Sequence, residues 1–120
     1  SVIFTAGVWY HLAFVYNEAE ADNADKMKAY INGVPQTNEI AGNALTSLNP
    51  SIAPFTIGYL GGYGTNSFDG NIDEVALWNT ALSEETIKAI YNTTNDNPGK
   101  AANLLETPEG APLAWYRMGD

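Results

Sequence analysis

The stretch that decides the fold is Phe68-Asp69-Gly70-Asn71-Ile72-Asp73-Glu74-Val75-Ala76-Leu77-Trp78-Asn79-Thr80-Ala81-Leu82. Its Asp69-Gly70 pair predicts a turn or bulge, because glycine adopts the positive φ that such positions require. Residues 72–78 predict a strand whose side chains alternate between two faces. Ser83 follows as a suitable N-cap, and two glutamates occupy the first turn, where the helix dipole favours acids. We therefore expect a turn, a strand and one short helix over residues 83–92.

The composition favours an all-β domain. The chain has 120 residues, with 3 Trp, 7 Tyr, 4 Phe and 11 Gly spread among short apolar runs. This distribution is typical of an antiparallel sandwich, and the length is sufficient for one core. No apolar run reaches the roughly 20 residues that cross a bilayer, so we expect no membrane insertion.

The excess of acidic over basic residues argues against two classes of binding partner. The formal net charge is −9, from 14 acidic against 5 basic residues. Nucleic acids and anionic membranes require clustered lysine and arginine, so neither is expected as a partner. The excess negative charge is interpreted as serving solubility. The alternative is that it adapts a surface protein to salty or calcium-containing water. With no cysteine, disulfides and thiolate metal sites are excluded.

Earlier segments also predict strands. Residues 8–16 carry apolar side chains on both faces, which is typical of a central strand. Residues 26–31 alternate, with Met27, Ala29 and Ile31 inward and Tyr30 outward, or the reverse at an edge. The next two residues, Asn-Gly, predict a type I′ hairpin turn, and a proline shortly afterwards predicts an edge strand. Residues 17–25 read as a polar loop and residues 55–58 as a further strand.

Three of these segments, in this order, resemble a known family. Trp9 to Tyr16 resembles W-x-H-[VL]-A-x-V-Y, and Met27 to Gly33 resembles [ML]-[KR]-x-Y-[IV]-[ND]-G. Phe68 to Ile87 resembles F-x-G-x-I-D-E-V-x-[IL]-[WY]-N-x-x-L-S-x-E-E-I. These are segments of laminin-G-like (LamG) domains in the concanavalin A-like lectin/glucanase superfamily. The resemblance implies an all-β antiparallel β-sandwich, a jelly roll, with one short α-helix near 83–92.

The C-terminal segment bears on the domain organisation. Residues 112–120 resemble a segment that normally opens a LamG-like domain, and Trp-Tyr-Arg-Met-Gly-Asp is similar to repeated domains in virion proteins of marine bacteriophages. We expect residues 1–111 to be the C-terminal part of a jelly roll. Residues 112–120 are then its closing strand or the first strand of a following repeat. The family's earlier strands are not seen, and because unpaired strand edges pair with other chains, we expect neighbouring chain or subunits to complete the sandwich.

No catalytic residues are predicted. Asp73 and Glu74 suggest glycoside hydrolysis, which requires two converging carboxylates. The E-x-D-x-E pattern of the superfamily's glucanases is absent, and adjacent residues point to opposite faces of a strand. We expect Asp73 to accept backbone hydrogen bonds and Glu74 to be solvated. His11 is expected to be a hydrogen-bonded core residue rather than a base.

Two groups of residues could bind ligands. Asp22, Asn23 and Asp25 offer hard oxygen ligands for calcium, although the match to a calcium loop is incomplete and a solvated acidic loop is the alternative. Tyr59, Tyr63 and Asn66, in or beside a glycine-rich loop, combine aromatic faces and an amide as sugar sites do. Alternatively, the tyrosines pack over the end of the sandwich. The expected core comprises Trp9, Phe14, Ile57, Val75 and Trp78.

These expectations define a function class. The leading interpretation is a non-enzymatic binding or structural module of a larger surface or virion protein, extracellular or on the virion surface. It would serve adhesion, glycan recognition or particle decoration. Its partners would be other subunits or neighbouring domains of the same protein, with cell-surface glycans as a further possibility and Ca²⁺ as the one possible cofactor. The alternatives are a purely architectural subunit-contact domain and a glycan-active enzyme domain.

Overall fold

The computed structural model describes residues 3–37, 47–48, 50–59, 67–92 and 103–118. Within these ranges the secondary structure is mostly β, with short strands, two α-helices and one 3-10 helix. In chain order the elements are β1 (Leu12–Tyr16), α1 (Asn23–Lys26), β2 (Met27–Ile31), β3 (Val34–Pro35), β4 (Val75–Leu77), α2 (Glu84–Tyr91), the 3-10 helix (Leu104–Glu106) and β5 (Ala114–Tyr116).

The first sheet is antiparallel in the order β1-β2-β3. Asn32 and Gly33, which join β2 to β3, have φ of 51° and 74°, as a type I′ turn requires. Asn32 is also tied to the start of β1, because its side-chain oxygen accepts from the His11 amide at 2.9 Å and its own amide donates to the His11 carbonyl at 2.8 Å. The predicted hairpin is confirmed, and Pro35 lies on the edge strand as expected.

The second sheet pairs β4 with β5 in antiparallel register, with Val75 opposite Tyr116 and Leu77 opposite Ala114. The observed β4 is shorter than the predicted strand 72–78. Glu74 has a φ of 53°, in the left-handed region that extended strands do not use. This residue therefore sets the start of the strand at Val75.

Helix α2 begins and ends as its sequence predicts. The Ser83 hydroxyl accepts a hydrogen bond from the Thr86 amide, which is the N-cap interaction. At the other end Asn92 adopts the left-handed conformation, with φ of 64°, and its amide bonds to the last-turn carbonyls. The helix predicted over 83–92 is confirmed, with Ser83 and Asn92 as its caps.

The buried side chains of the described residues come from β2, α2 and the 3-10 helix. They are Tyr30, Thr86, Ile87, Ile90 and Leu104. On β2, Tyr30 is buried and Met27 is exposed. Of the two orientations predicted for this strand, the structure therefore has the one in which Tyr30 points inward and Met27 points outward. The sheet face that carries Tyr30 is the covered one, because α2 packs on that side.

The predicted core was wrong for two of its five residues. Trp9 is 63% exposed and Phe14 is 79% exposed, whereas Ile57, Val75 and Trp78 are partly buried. Phe14 pairs with Ala29, the neighbour of Tyr30, so it lies on the opposite face of the sheet from the helix. Alternation along β1 therefore separates the two faces of the sheet correctly, but it does not show that the face of Phe14 is the uncovered one. Trp9 lies before β1 begins at Leu12.

Three further segments differ from expectation. The strand predicted over 8–16 begins only at Leu12, and it lies at the edge of the described sheet and not in its centre. The predicted loop over 17–25 contains the first residues of α1, whose Asp25 and Lys26 amides donate to the Asp22 carbonyl at 3.0 and 2.9 Å. Residues 55–58 do not form a strand; an isolated bridge joins Tyr59 to Ser67 instead. The C-terminal residues 114–116 pair with β4. The division into 1–111 and 112–120 remains a prediction.

Candidate functional site

Asp73 and Glu74 anchor the C-terminal strand instead of converging on a substrate. Asp73 Oδ1 accepts from the Glu74 amide at 2.8 Å and from the Met118 amide at 3.0 Å, which confirms its predicted role. Glu74 was predicted to be solvated, and this was wrong. Its carboxylate accepts a short hydrogen bond from Trp115 Nε1 and lies 3.7 Å from Arg117 Nε.

The same cluster includes a cation–π contact. The Arg117 guanidinium carbon lies 5.0 Å from the centroid of the Trp115 ring. An arginine over an indole face is attracted by the negative ring face, and the contact with the carboxylate adds to it. Glu74, Trp115 and Arg117 therefore form one interaction unit that joins the two strands of the second sheet.

His11 is partly buried but is not hydrogen-bonded as predicted. Its Nδ1 is buried, and no described residue supplies a hydrogen-bond partner for it. The imidazole stacks on the ring of Tyr91 in α2, with centroids 5.8 Å apart and planes 24° from parallel. Burial lowers the pKa of His11 below its usual 6.5, because desolvation disfavours the charged form. A stacked imidazole from the residue just before β1 therefore contacts α2.

Of the three predicted sugar-binding residues, the structure describes only Tyr59. Tyr59 is exposed, and its carbonyl accepts from the Thr56 hydroxyl at 2.5 Å. It stands at the base of the glycine-rich loop, paired with Ser67. Tyr63 and Asn66 lie outside the described residues. The exposed ring of Tyr59 is compatible with stacking on a sugar, and the role of all three residues remains a prediction.

The predicted calcium residues lie on and beside α1. Asp22 and Asp25 are exposed, and Asp25 Oδ1 is 3.9 Å from Lys28 Nζ. Asn23 is the first residue of the helix. Across the described ranges no group of three or more His, Cys, Asp or Glu side chains is placed to hold a metal ion. Calcium binding by Asp22, Asn23 and Asp25, in which an amide supplies one ligand, remains a prediction.

A cavity of about 250 Å³ lies between β2 and the N-terminal end of α2, and we call it the β2–α2 cavity. Its titratable lining consists of four carboxylates, one ammonium and one phenol: Glu20, Asp25, Glu84, Glu109, Lys28 and Tyr30. Only Asp25 belongs to the predicted metal set. The sequence offered no signal for the cavity, because its walls come from segments more than 80 residues apart.

The Glu109 carboxylate connects the C-terminal segment to the helix cap. It accepts from the Ser83 amide at 2.8 Å and from the Thr86 hydroxyl at 2.7 and 2.9 Å. Burial raises the pKa of Glu109, and the hydrogen bonds from Ser83 and Thr86 outweigh this, so its pKa lies below the usual 4.5. The charged carboxylate therefore supports the N-terminus of α2, where the dipole favours it.

The opposite side of the first sheet presents an apolar surface. We call it the apolar face, and it consists of Leu12, Phe14, Met27, Ile31 and Val34, which the strand register places on one side. All except Ile31 are exposed. In the described sheet β1 is also an edge strand, because it pairs only with β2. An exposed apolar face beside an open strand edge is typical of a surface that other chain covers.

Comparison with known families decides the membership of the chain. A laminin G family model of the concanavalin A-like lectin/glucanases superfamily matches residues 1–88. The chain belongs to this superfamily. The match covers the Trp9, Met27 and Phe68 segments and most of α2, so the resemblance read from the sequence is confirmed, as is the all-β antiparallel class.

Membership in the concanavalin A-like superfamily indicates a binding or structural module. No curated protein and no solved structure gives a significant match to the chain. Neither helix in the described ranges has the length and apolar character needed to cross a membrane. The superfamily assignment therefore supplies the architecture and a broad function class, and the particular role has to be argued from the surfaces.

Proposed function

We propose that the chain is a non-enzymatic binding or structural module of a larger extracellular or virion-surface protein, serving adhesion, glycan recognition or particle decoration. The apolar face carries the proposal. Phe14, at its centre, is 79% exposed. An isolated domain gains no stability from a large apolar side chain that is exposed to this extent. The face is covered, on this proposal, by another subunit or a neighbouring domain of the same protein.

The energetics support a docking role. Burial of apolar area stabilises by about 25 cal/mol per Å², so covering a large exposed side chain contributes about 1.5–3 kcal/mol. Leu12, Phe14 and Val34 together offer several such increments on one surface. The open edge of β1 adds backbone donors and acceptors to which an incoming strand can bind.

The carboxylates support a non-enzymatic role. Asp73 binds two backbone amides, and Glu74 binds Trp115 and Arg117. Neither acid is available as the general acid or nucleophile of a glycosidase without breaking the contacts that hold β5. This favours a binding module over the alternative of a glycan-active enzyme.

Sedimentation velocity tests the docking role. We expect the 120-residue chain to self-associate through the apolar face and Phe14→Asp to be monomeric, because a buried carboxylate is costly. Ile52→Asp is the matched control, since Ile52 is fully exposed and lies outside the sheet. A wild-type chain that is monomeric and unfolds cooperatively would contradict the proposal.

A glycan array tests the recognition role separately. If the loop beside Tyr59 binds sugars, Tyr59→Ala should lose the signal and Tyr59→Phe should keep it, because stacking requires only the ring. A chain that binds no glycan, but self-associates through the apolar face, would favour the architectural alternative. This outcome would remove glycan recognition from the proposal and leave docking intact.

A further inference from the structure

The chain contains two pairs in which a glycine follows an asparagine or an aspartate, Asn32-Gly33 and Asp69-Gly70. Such pairs are chemically labile, because the backbone nitrogen of the glycine reaches the side-chain carbonyl of the preceding residue without hindrance from a Cβ. Attack by this nitrogen closes a five-membered succinimide ring. In an unfolded chain the Asn-Gly pair reacts faster, because an amide carbonyl is a better electrophile than a carboxylate. The structure places the two pairs in different surroundings.

The Asn32-Gly33 pair is held in place by His11. The Asn32 side-chain oxygen accepts from the His11 amide at 2.9 Å, and the Asn32 amide donates to the His11 carbonyl at 2.8 Å. Both turn residues are in the left-handed conformation, with φ of 51° and 74°, and Gly33 is buried. Ring closure requires the Asn32 side chain to leave His11 and the backbone to leave the turn conformation. Folding therefore protects the pair that is intrinsically more reactive.

The Asp69-Gly70 pair lies in the irregular chain before β4 and lacks this restraint. Both residues are exposed, and no described residue forms a hydrogen bond or an ion pair with the Asp69 side chain or the Gly70 amide. A Cβ on residue 70 would lie 2.7 Å from Cε1 of the Phe68 ring, so any other residue requires this ring to move. The packing of Phe68 against the backbone therefore favours a glycine directly after this aspartate.

We propose that Asp69 is a site of spontaneous isomerisation to isoaspartate in the folded chain. The Gly70 nitrogen attacks Cγ of Asp69, a C–N bond forms, and the carboxyl hydroxyl leaves as water together with the amide proton. One water molecule then opens the succinimide at either carbonyl, which returns aspartate or gives isoaspartate. No oxidant or cofactor takes part, and the water consumed equals the water released. This inference is independent of the proposed docking function.

The product lengthens the main chain between two fixed points. In isoaspartate the backbone runs through Cγ, which inserts one methylene group after residue 69. The insertion follows Phe68, whose amide donates to the Gly58 carbonyl at 2.8 Å. It precedes Asp73, which accepts from the Met118 amide at 3.0 Å. The modified chain can keep both contacts only if the backbone between them changes its path.

Incubation of the folded chain near neutral pH for several weeks, followed by peptide mapping, tests the proposal. Isoaspartate is detected by methylation with isoaspartyl methyltransferase, and fragmentation of the labelled peptide assigns its position. We expect isoaspartate to accumulate at residue 69 while Asn32 remains an amide. In the urea-unfolded chain Asn32 should deamidate at least about tenfold faster than in the folded chain, because the hydrogen bond that holds its side chain is lost.

Asp69→Glu is the matched control, because it keeps the charge and its longer side chain cannot close the five-membered ring. This variant should give no isoaspartate in the same peptide, and circular dichroism checks that it is folded. If it is not, the succinimide in the wild-type peptide, lighter by one water molecule, is the second measurement. Absence of both isoaspartate and succinimide at residue 69 of the folded wild type, or an equal isoaspartate signal in Asp69→Glu, would overturn the proposal. Equal deamidation of Asn32 in the folded and unfolded chain would overturn the protection by His11.

Discussion

Glu74 combines a left-handed backbone conformation with a side chain that joins two strands. At φ of 53° a non-glycine residue is strained by about 1–2 kcal/mol. Its carboxylate bonds to Trp115 and pairs with Arg117, which offsets that strain. Sequence periodicity placed Glu74 on a strand face and could not detect either contact, because both partners lie more than 40 residues away.

Replacing Glu74 tests this balance. We expect Glu74→Ala to lower the free energy of unfolding by about 1–2 kcal/mol, because the hydrogen bond to Trp115 is lost and the strain is kept. Glu74→Gly should cost less, since glycine accepts the positive φ. Glu18→Ala, in an exposed turn, should change stability by less than about 0.5 kcal/mol. Urea denaturation measures all three, and a Glu74→Ala variant as stable as the wild type would show that the cluster contributes nothing.

His11 makes the free energy of unfolding depend on pH in the mildly acidic range. Its folded pKa is below 6.5, so the unfolded chain takes up a proton first as the pH falls, and protonation favours unfolding. The stability that the neutral form of His11 contributes is fully present above pH 6.5 and is lost as the pH falls from 6.5 through the lowered folded pKa. Thermal unfolding between these values should show decreasing stability. His11→Phe should keep the stacking on Tyr91 and lose this slope; a variant that retains the full slope would assign it to other groups.

At the scale of elements, α2 holds the core together. Ile87 is 1% exposed and contributes the most buried side chain. Ile87→Ala should lower the free energy of unfolding by about 2–5 kcal/mol, through lost burial and the cavity it leaves. Ile3→Ala, at an exposed position, should have an effect below about 0.5 kcal/mol. Equal effects of the two substitutions in chemical denaturation would mean that the helix is not part of the core.

The cap of α2 gives a second, more acidic pH dependence. The folded pKa of Glu109 is below 4.5, so its charged form stabilises the fold above pH 4.5, and this is lost as the pH falls below that value. Glu109→Gln should destabilise at neutral pH by about 1 kcal/mol and flatten the acid limb of the stability curve. Glu106→Gln, at an exposed position of the 3-10 helix, is the matched control and should change the stability at neutral pH by less than about 0.5 kcal/mol. A steep limb in Glu109→Gln would contradict the assignment.

Local signals predicted the elements whose causes are local. The Asn32-Gly33 turn and the Ser83 cap are each determined within four residues, by positive φ and by one side-chain hydrogen bond. Features that depend on distant contacts were missed. Nothing near Tyr30 indicates that it is buried and Phe14 is not, because this depends on which side of the sheet α2 packs.

At the scale of the whole molecule, net charge and the apolar face act in opposite directions on association. A charge of −9 repels a second copy, whereas the apolar face attracts it. Raising the salt from about 0.02 to about 0.5 M shortens the screening length below about 10 Å, so self-association should strengthen. Sedimentation at both salt concentrations, with Phe14→Asp as the control, measures this. Weaker association in high salt would indicate that ion pairs hold the copies together.

The antiparallel pairing of β4 with β5 has a mechanical consequence. A pull on the chain beyond Met118 peels β5 from the end where Tyr116 faces Val75, so its backbone bonds break one after another rather than all at once. The bonds of Asp73 to the Met118 amide and of Glu74 to Trp115 and Arg117 lie at that end and take the load first. These two adjacent acids therefore bear the load before the backbone bonds of β5 do, and replacing either should lower the force at which the second sheet opens.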